Sequence, residues 1–240
     1  MRKSFSSLLV LVGFAVLFSA CAQPTQPTPT RMPELGLRRK GLSPSEVAMP
    51  WSQPDSESVL RVVSCRTFRH LGEAVHLVGE VENTGEIKMG EVSVEVVGYA
   101  RGGRVMDTKQ DSTYLSVVPP GAKAPFRVFF HAKDVERCEL TVTGEPTEAE
   151  PADTLEASLV ALSAPSSGYS HVKGELDNPG AETVNVTLII VLRDESGEAV
   201  EVHRAKLRQP VEPGSTSFDV LALHHGAATA DIRAEVRDDK

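Results

Sequence analysis

Three observations predict an all-β chain built from two tandem β-sandwiches behind an extended N-terminal segment. The first is an internal repeat. His76-Leu77-Val78-Gly79-Glu80-Val81-Glu82-Asn83-Thr84-Gly85 recurs as His171-Val172-Lys173-Gly174-Glu175-Leu176-Asp177-Asn178-Pro179-Gly180, 95 residues later. Pro120-Gly121 before Phe126-Arg127-Val128 likewise recurs as Pro213-Gly214 before Phe218-Asp219-Val220. The second is a period of two in each copy, as in a strand with one buried face. Leu77, Gly79 and Val81 share one face, with His76, Glu80 and Glu82 on the other. Val172, Gly174 and Leu176 oppose His171, Glu175 and Asp177 with the same parity. The third is spacing: short β-branched runs separated by turn residues, with no helical stretch, read as small sandwiches.

Taken in order, residues 1–20 read as a signal peptide. Arg2 and Lys3 form a basic start, and Leu8–Phe18 is an apolar run of 11 residues. That run is too short for a spanning helix of about 20 residues and right for a signal-peptide core of about 7–15. Ser19-Ala20-Cys21 follows, and the composition then turns to Pro, Gln and Thr. These residues resemble a bacterial lipoprotein signal, although Phe18 stands where Leu is usual. The resemblance implies cleavage before Cys21 and lipidation (palmitate included) of that cysteine. It also implies an extracytoplasmic, membrane-anchored location, with Ala22 pointing to the outer membrane in a Gram-negative envelope and the cell surface otherwise. Ala20-Cys21-Ala22 also satisfies the small-x-small cleavage rule, and that cut releases a soluble secreted protein.

Residues 21–54 carry Pro24, Pro27, Pro29, Pro33, Pro44, Pro50 and Pro54 and little apolar periodicity. Such a segment favours extended conformations and builds no core. At about 3.1 Å per residue it would reach roughly 100 Å as a tether. Trp51, the only Trp, is expected to pack where the tether joins the first sandwich. That sandwich is expected over 55–145, an acidic linker over 146–153 and the second sandwich over 154–240. Asn83-Thr84-Gly85 and Asn178-Pro179-Gly180 read as turns whose Asn and Gly tolerate left-handed backbone angles. Gly102-Gly103 and Glu195-Ser196-Gly197 read as hairpin turns.

The repeat resembles the FxLYD domain, an immunoglobulin-like module of bacterial envelope lipoproteins. Gly79-Glu80-Val81-Glu82-Asn83 and Gly174-Glu175-Leu176-Asp177-Asn178 fit its G-x-V-x-N element. Val96-Val97-Gly98-Tyr99-Ala100 and Ile190-Val191-Leu192-Arg193-Asp194 are degenerate forms of its naming motif. The resemblance covers residues 56–238. It implies two immunoglobulin-like sandwiches and carries no catalytic residue.

Charge narrows the partners. The chain carries −8 overall, concentrated in the second half. An acidic surface argues against nucleic acid, whose binding rests on Lys and Arg neutralising phosphates. Cys65 and Cys138 occupy core-facing positions in the first and last strands of repeat one, aligned with Val160 and Ile232 of repeat two. In an oxidising compartment they point to a disulfide; two buried free thiols are the alternative. No nucleophile elbow, phosphate loop, zinc-type spacing or calcium loop is present. His76 and Glu80, or His171 and Glu175, lie some 13 Å apart along a strand at about 3.3 Å per residue, too far to share a metal. His224 and His225, adjacent on a strand, point to opposite faces.

The expected function is therefore non-catalytic, with no cofactor and no metal site: a lipid-anchored envelope protein acting as a binding or interaction module, its expected partner another envelope protein, with peptidoglycan or a sister domain as other contacts. A spacer or assembly factor of a larger envelope complex is the alternative, with a secreted protein or an envelope hydrolase behind it. End loops such as Gly102-Gly103-Arg104, Ser166-Ser167-Gly168-Tyr169 and Glu195-Ser196-Gly197 are the candidate contact points.

Overall fold

The computed structural model describes residues 45–46, 49–54, 58–69, 74–131, 134–163, 169–223 and 226–237, all within one compact unit. Cys21, the signal segment, most of the tether, Ser166–Gly168, His224 and His225 lie outside the described residues.

Among the described residues every regular element is a strand: β1 (Ser45–Glu46), β2 (Trp51–Ser52), β3 (Leu60–Arg69), β4 (Ala74–Asn83), β5 (Met89–Tyr99), β6 (Val105–Ser112), β7 (Val117–Val118), β8 (Lys123–His131), β9 (Arg137–Pro146), β10 (Thr154–Ser163), β11 (Tyr169–Asn178), β12 (Asn185–Arg193), β13 (Ala199–Lys206), β14 (Gly214–Leu223) and β15 (Thr229–Arg237). Repeat one folds as two facing sheets, β1-β3-β4-β8 and β2-β9-β5-β6, with β7 added beside β5. Repeat two repeats the order as β10-β11-β14 and β13-β12-β15. Its two sheets are continuous because Thr154 and Leu155 at the start of β10 pair with Glu235 and Ala234 of β15 before the strand crosses to β11. The chain is all-β, with two sandwiches of immunoglobulin-like pattern. Trp51 pairs in parallel with Cys138 and packs on the first core.

The repeated glycine is explained by the repeated phenylalanine. Gly79 lies opposite Phe126, and Gly174 opposite Phe218. A Cβ on Gly79 would sit 2.2 Å from the Ser64 carbonyl oxygen and 2.7 Å from Phe126 Cζ, and one on Gly174 2.3 Å from Phe218 Cζ. Each ring therefore lies over a bare backbone position, which fills the space that a side chain would otherwise need.

The repeated asparagine acts through its side chain, not through a left-handed backbone as the turn reading supposed. Neither Asn83 nor Asn178 has positive φ, whereas Gly102, Gly103 and Gly197 in the hairpin turns do. Asn83 is fully buried. Its Nδ2 donates to Ile87 O at 2.8 Å and Val118 O at 2.9 Å, and its Oδ1 accepts from Gly85 N at 3.0 Å. Asn178 makes the matching bonds to Glu182 O, Val211 O and Gly180 N. Asn83→Ala strands two carbonyls and an amide beneath the loop. It should lower stability by about 2–3 kcal/mol, measured as a shift of the urea midpoint at constant slope; a shift worth under about 0.5 kcal/mol would contradict this role.

The acidic linker is held in place. Strand β9 runs on to Pro146, Thr147 N donates to Lys88 O, and Lys88 Nζ meets Glu150 Oε1 at 2.7 Å.

Candidate functional site

The richest cluster of charged side chains lies where the outer face of β3-β4-β8 meets the outer face of β12 and the edge strand β13. Strand β12 explains the contact. Val186, Leu188, Ile190 and Leu192 fill the second core. Thr187, Ile189 and Val191, on the opposite face, are buried as well. The matching outward positions of β5 are Ser93, Glu95 and Val97, so an apolar outer face is specific to the second repeat.

Opposite this face, His76 is fully buried and Glu80 nearly so. Both had read as solvated positions. The parity of β4 is as expected, but Val78, Phe68 and Phe129 share the face with them and draw it against the second sandwich. His76 lies between the rings of Phe68 and Phe129, with centroids at 5.2 and 5.0 Å. Its Nε2 is 3.7 Å from Glu201 Oε2, and Arg127 Nη1 donates to Glu201 Oε1 at 2.5 Å. Glu80 accepts two bonds from Arg193, Nη2 to Oε1 at 2.8 Å and Nη1 to Oε2 at 3.1 Å. Arg193 Nε also bonds Asp231 Oδ2 at 2.5 Å. The bond to Glu80, followed by that to Asp231, holds the guanidinium still further above its usual range, against the opposing effect of burial. Arg66 pairs with Asp194. The Ser196 hydroxyl, with Arg66 behind it, brings the Asp194 carboxyl down to about 2. Arg204 donates to Tyr114 O at 2.5 Å and lies over its ring. Burial raises the Tyr114 phenol.

In the second repeat the equivalent face is open. His171 is partly exposed and bonds Asp219 Oδ1 at 2.9 Å, and Glu175 is exposed. The His171 bond, ahead of the Lys173 charge, lowers the Asp219 carboxyl. The solvated reading therefore describes the second copy and fails for the first.

This arrangement neutralises charges pairwise and aligns two sheets. It presents no activated nucleophile, and among the described residues no group of three or more His, Cys, Asp or Glu is placed to hold a metal.

Cys65 and Cys138 are brought together inside the first sandwich, but both are thiols and the expected bridge is not formed. Cys138 Sγ is directed at Met49 Sδ, 3.2 Å away. Burial, with a smaller contribution from Cys138, pushes the Cys65 thiol far above its usual range. Burial also pushes Cys138 up to about 12, against a lowering influence of Arg137. Neutral, enclosed thiols are poor nucleophiles. The repeat alignment is corrected too. Cys65 faces Gly79 as Leu159 faces Gly174, and Cys138 faces Gly98 where Ala230 faces Leu192. Val160 is instead the bulged residue of β10 and is well exposed.

The junction was missed from sequence. Its signal was the run Val186–Leu192, which fails to alternate and so has two buried faces.

No protein-family model matches the chain, and no curated protein does. Among solved structures, red sea bream transglutaminase is similar at 12% identity and a TM-score of 0.23, over 75% of this chain and 29% of that one. The chain thus spans under a third of that protein's length.

Proposed function

We propose that this chain is a lipid-anchored envelope protein of the FxLYD-like type, acting without catalysis as a binding module for another envelope protein. The observation that carries this reading is Cys21, set between an 11-residue apolar run and a Pro-rich segment. The lipid fixes the protein to the membrane, the Pro-rich stretch gives reach, and the paired sandwiches are what it presents. The framework residues support the same reading, since Gly79, Phe126 and Asn83 are occupied in packing and turn bonding rather than chemistry. A spacer within a larger complex is the second reading, favoured by the buried ion pairs that join the sandwiches.

Cys21→Ala tests the anchor. The variant should leave the membrane fraction while its melting temperature stays within about 2 °C of wild type, since no core residue changes. Wild-type protein that washes off membranes in high salt without detergent would contradict the reading and favour cleavage at Ala20-Cys21-Ala22.

A further inference from the structure

We propose that the open edge of the second sandwich, strand β14 and the groove beside it, takes an extended peptide segment of another protein by strand addition. The segment it fits alternates apolar and acidic residues. The inference deepens the binding-module reading and rests on it.

The two repeats close their sides differently. In the first, β6 leads into Tyr114, whose N–H donates to Pro125 O at 2.8 Å. That bond covers the edge of β8, and Pro125 itself has no N–H to offer. In the second, β13 packs less closely against β14 than β6 does against β8, and it packs as well against β4, β3 and β8 of the first sandwich. A groove of about 680 Å³ remains between β13 and β14.

Burial records the same difference. Ala124, Phe126 and Val128, on the inward face of β8, are sealed; the matching Thr216 and Val220 of β14 are only half-buried, and Phe218 is 8% exposed against 0% for Phe126. The second core is thus short of cover along this side.

The edge offers hydrogen bonds as well as apolar surface. Pro125 lies opposite Glu80, and Ser217 lies opposite Glu175. Since Pro125 O points away from β4, Ser217 has its N–H and C=O pointing away from β11. Alternation extends this to Ser215, Asp219 and Leu221. Among the described residues no strand pairs with this side of β14. The strand is ten residues long and contains neither Pro nor Lys, the usual devices that blunt an edge. An added strand gains main-chain bonds from the edge and specificity from alternate side chains entering the groove.

Charge selects the occupant. The β13 side of the groove carries exposed Lys206 and Arg208, while the carboxylate on the β14 side, Asp219, is already paired with His171 and Lys173. A strand whose inward residues are apolar and whose other residues are Glu or Asp meets both features.

The test uses the full chain and a fluorescein-labelled nonapeptide of alternating valine and glutamate. Saturable binding is expected, with slowed amide exchange at Ser217, Asp219 and Leu221. Ser217→Pro copies the proline that the first repeat carries at this position and should weaken binding about tenfold, the value of one or two lost bonds. Lys206→Glu with Arg208→Glu changes only exposed side chains and should weaken it by a similar factor. Unchanged affinity in both variants, or no change in exchange along β14, overturns the proposal. If an envelope partner crosslinks equally to wild type and to Ser217→Pro, the edge proposal fails while the binding-module reading stands. If neither captures a partner, that reading fails.

Discussion

Arg193→Ala should destabilise the whole folded unit by about 3 kcal/mol, the low end for removing one partner of a buried pair. Arg193 is 20% exposed in its side chain, and Glu80 only 9%. The loss removes both hydrogen bonds that the Glu80 carboxylate accepts between the two sandwiches, and it removes the tie to Asp231. The residual exposure of Arg193 is the reason to choose the low end. Glu80→Ala should cost a comparable amount, and the double variant less than the sum. The difference measures the coupling across the junction. Additive losses within about 0.5 kcal/mol would show that the two groups do not depend on each other.

Gly79→Ala should cost about 3 kcal/mol, the upper end for forcing a side chain into a filled core. The new methyl would meet the Ser64 carbonyl oxygen at 2.2 Å and the Phe126 ring at 2.7 and 2.8 Å. The backbone oxygen, the nearer of the two, belongs to the neighbouring strand and cannot move without breaking the β3–β4 ladder. Gly79→Ala combined with Phe126→Leu should not rescue it, because the closer clash is with the backbone. Gly102→Ala, on an open hairpin turn with φ of 82° and nothing within 4 Å, costs backbone strain alone. It should lose only about 1 kcal/mol. Thermal or urea unfolding of the three variants orders them; a Gly79→Ala loss no larger than that of Gly102→Ala would contradict the close-packing account.

Much of this architecture was legible in the sequence, for physical reasons that can be traced residue by residue. The repeat and its alternation marked which side chains of β4 and β11 face inward, because strand geometry allows only two faces. Gly102, Gly103 and Gly197 marked turns, because few other residues take positive φ there. Whether the outward face of β4 or β11 is wet was not legible in those strands, since alternation within one strand is the same against water or against another sheet. His76 and Glu80 match His171 and Glu175 in type and spacing, yet one pair is buried and the other is not. The distinction lies in other strands: Phe129 and Arg127 where the second repeat has Leu221 and Asp219, and Ile189 where the first has Glu95. The thiols were placed correctly on the core side of their strands, but pairing depends on where each sulfur points, and Cys138 Sγ points at Met49 Sδ.

The two repeats form one body, joined through Glu80–Arg193, Arg66–Asp194 and Arg127–Glu201, rather than two beads on a linker. Differential scanning calorimetry of the full chain tests it most directly. A single transition is expected, with calorimetric and van't Hoff enthalpies that agree, and it should split or broaden in Arg193→Ala. Two separate transitions in the wild-type protein, with the lower one unmoved by Arg193→Ala, would contradict it.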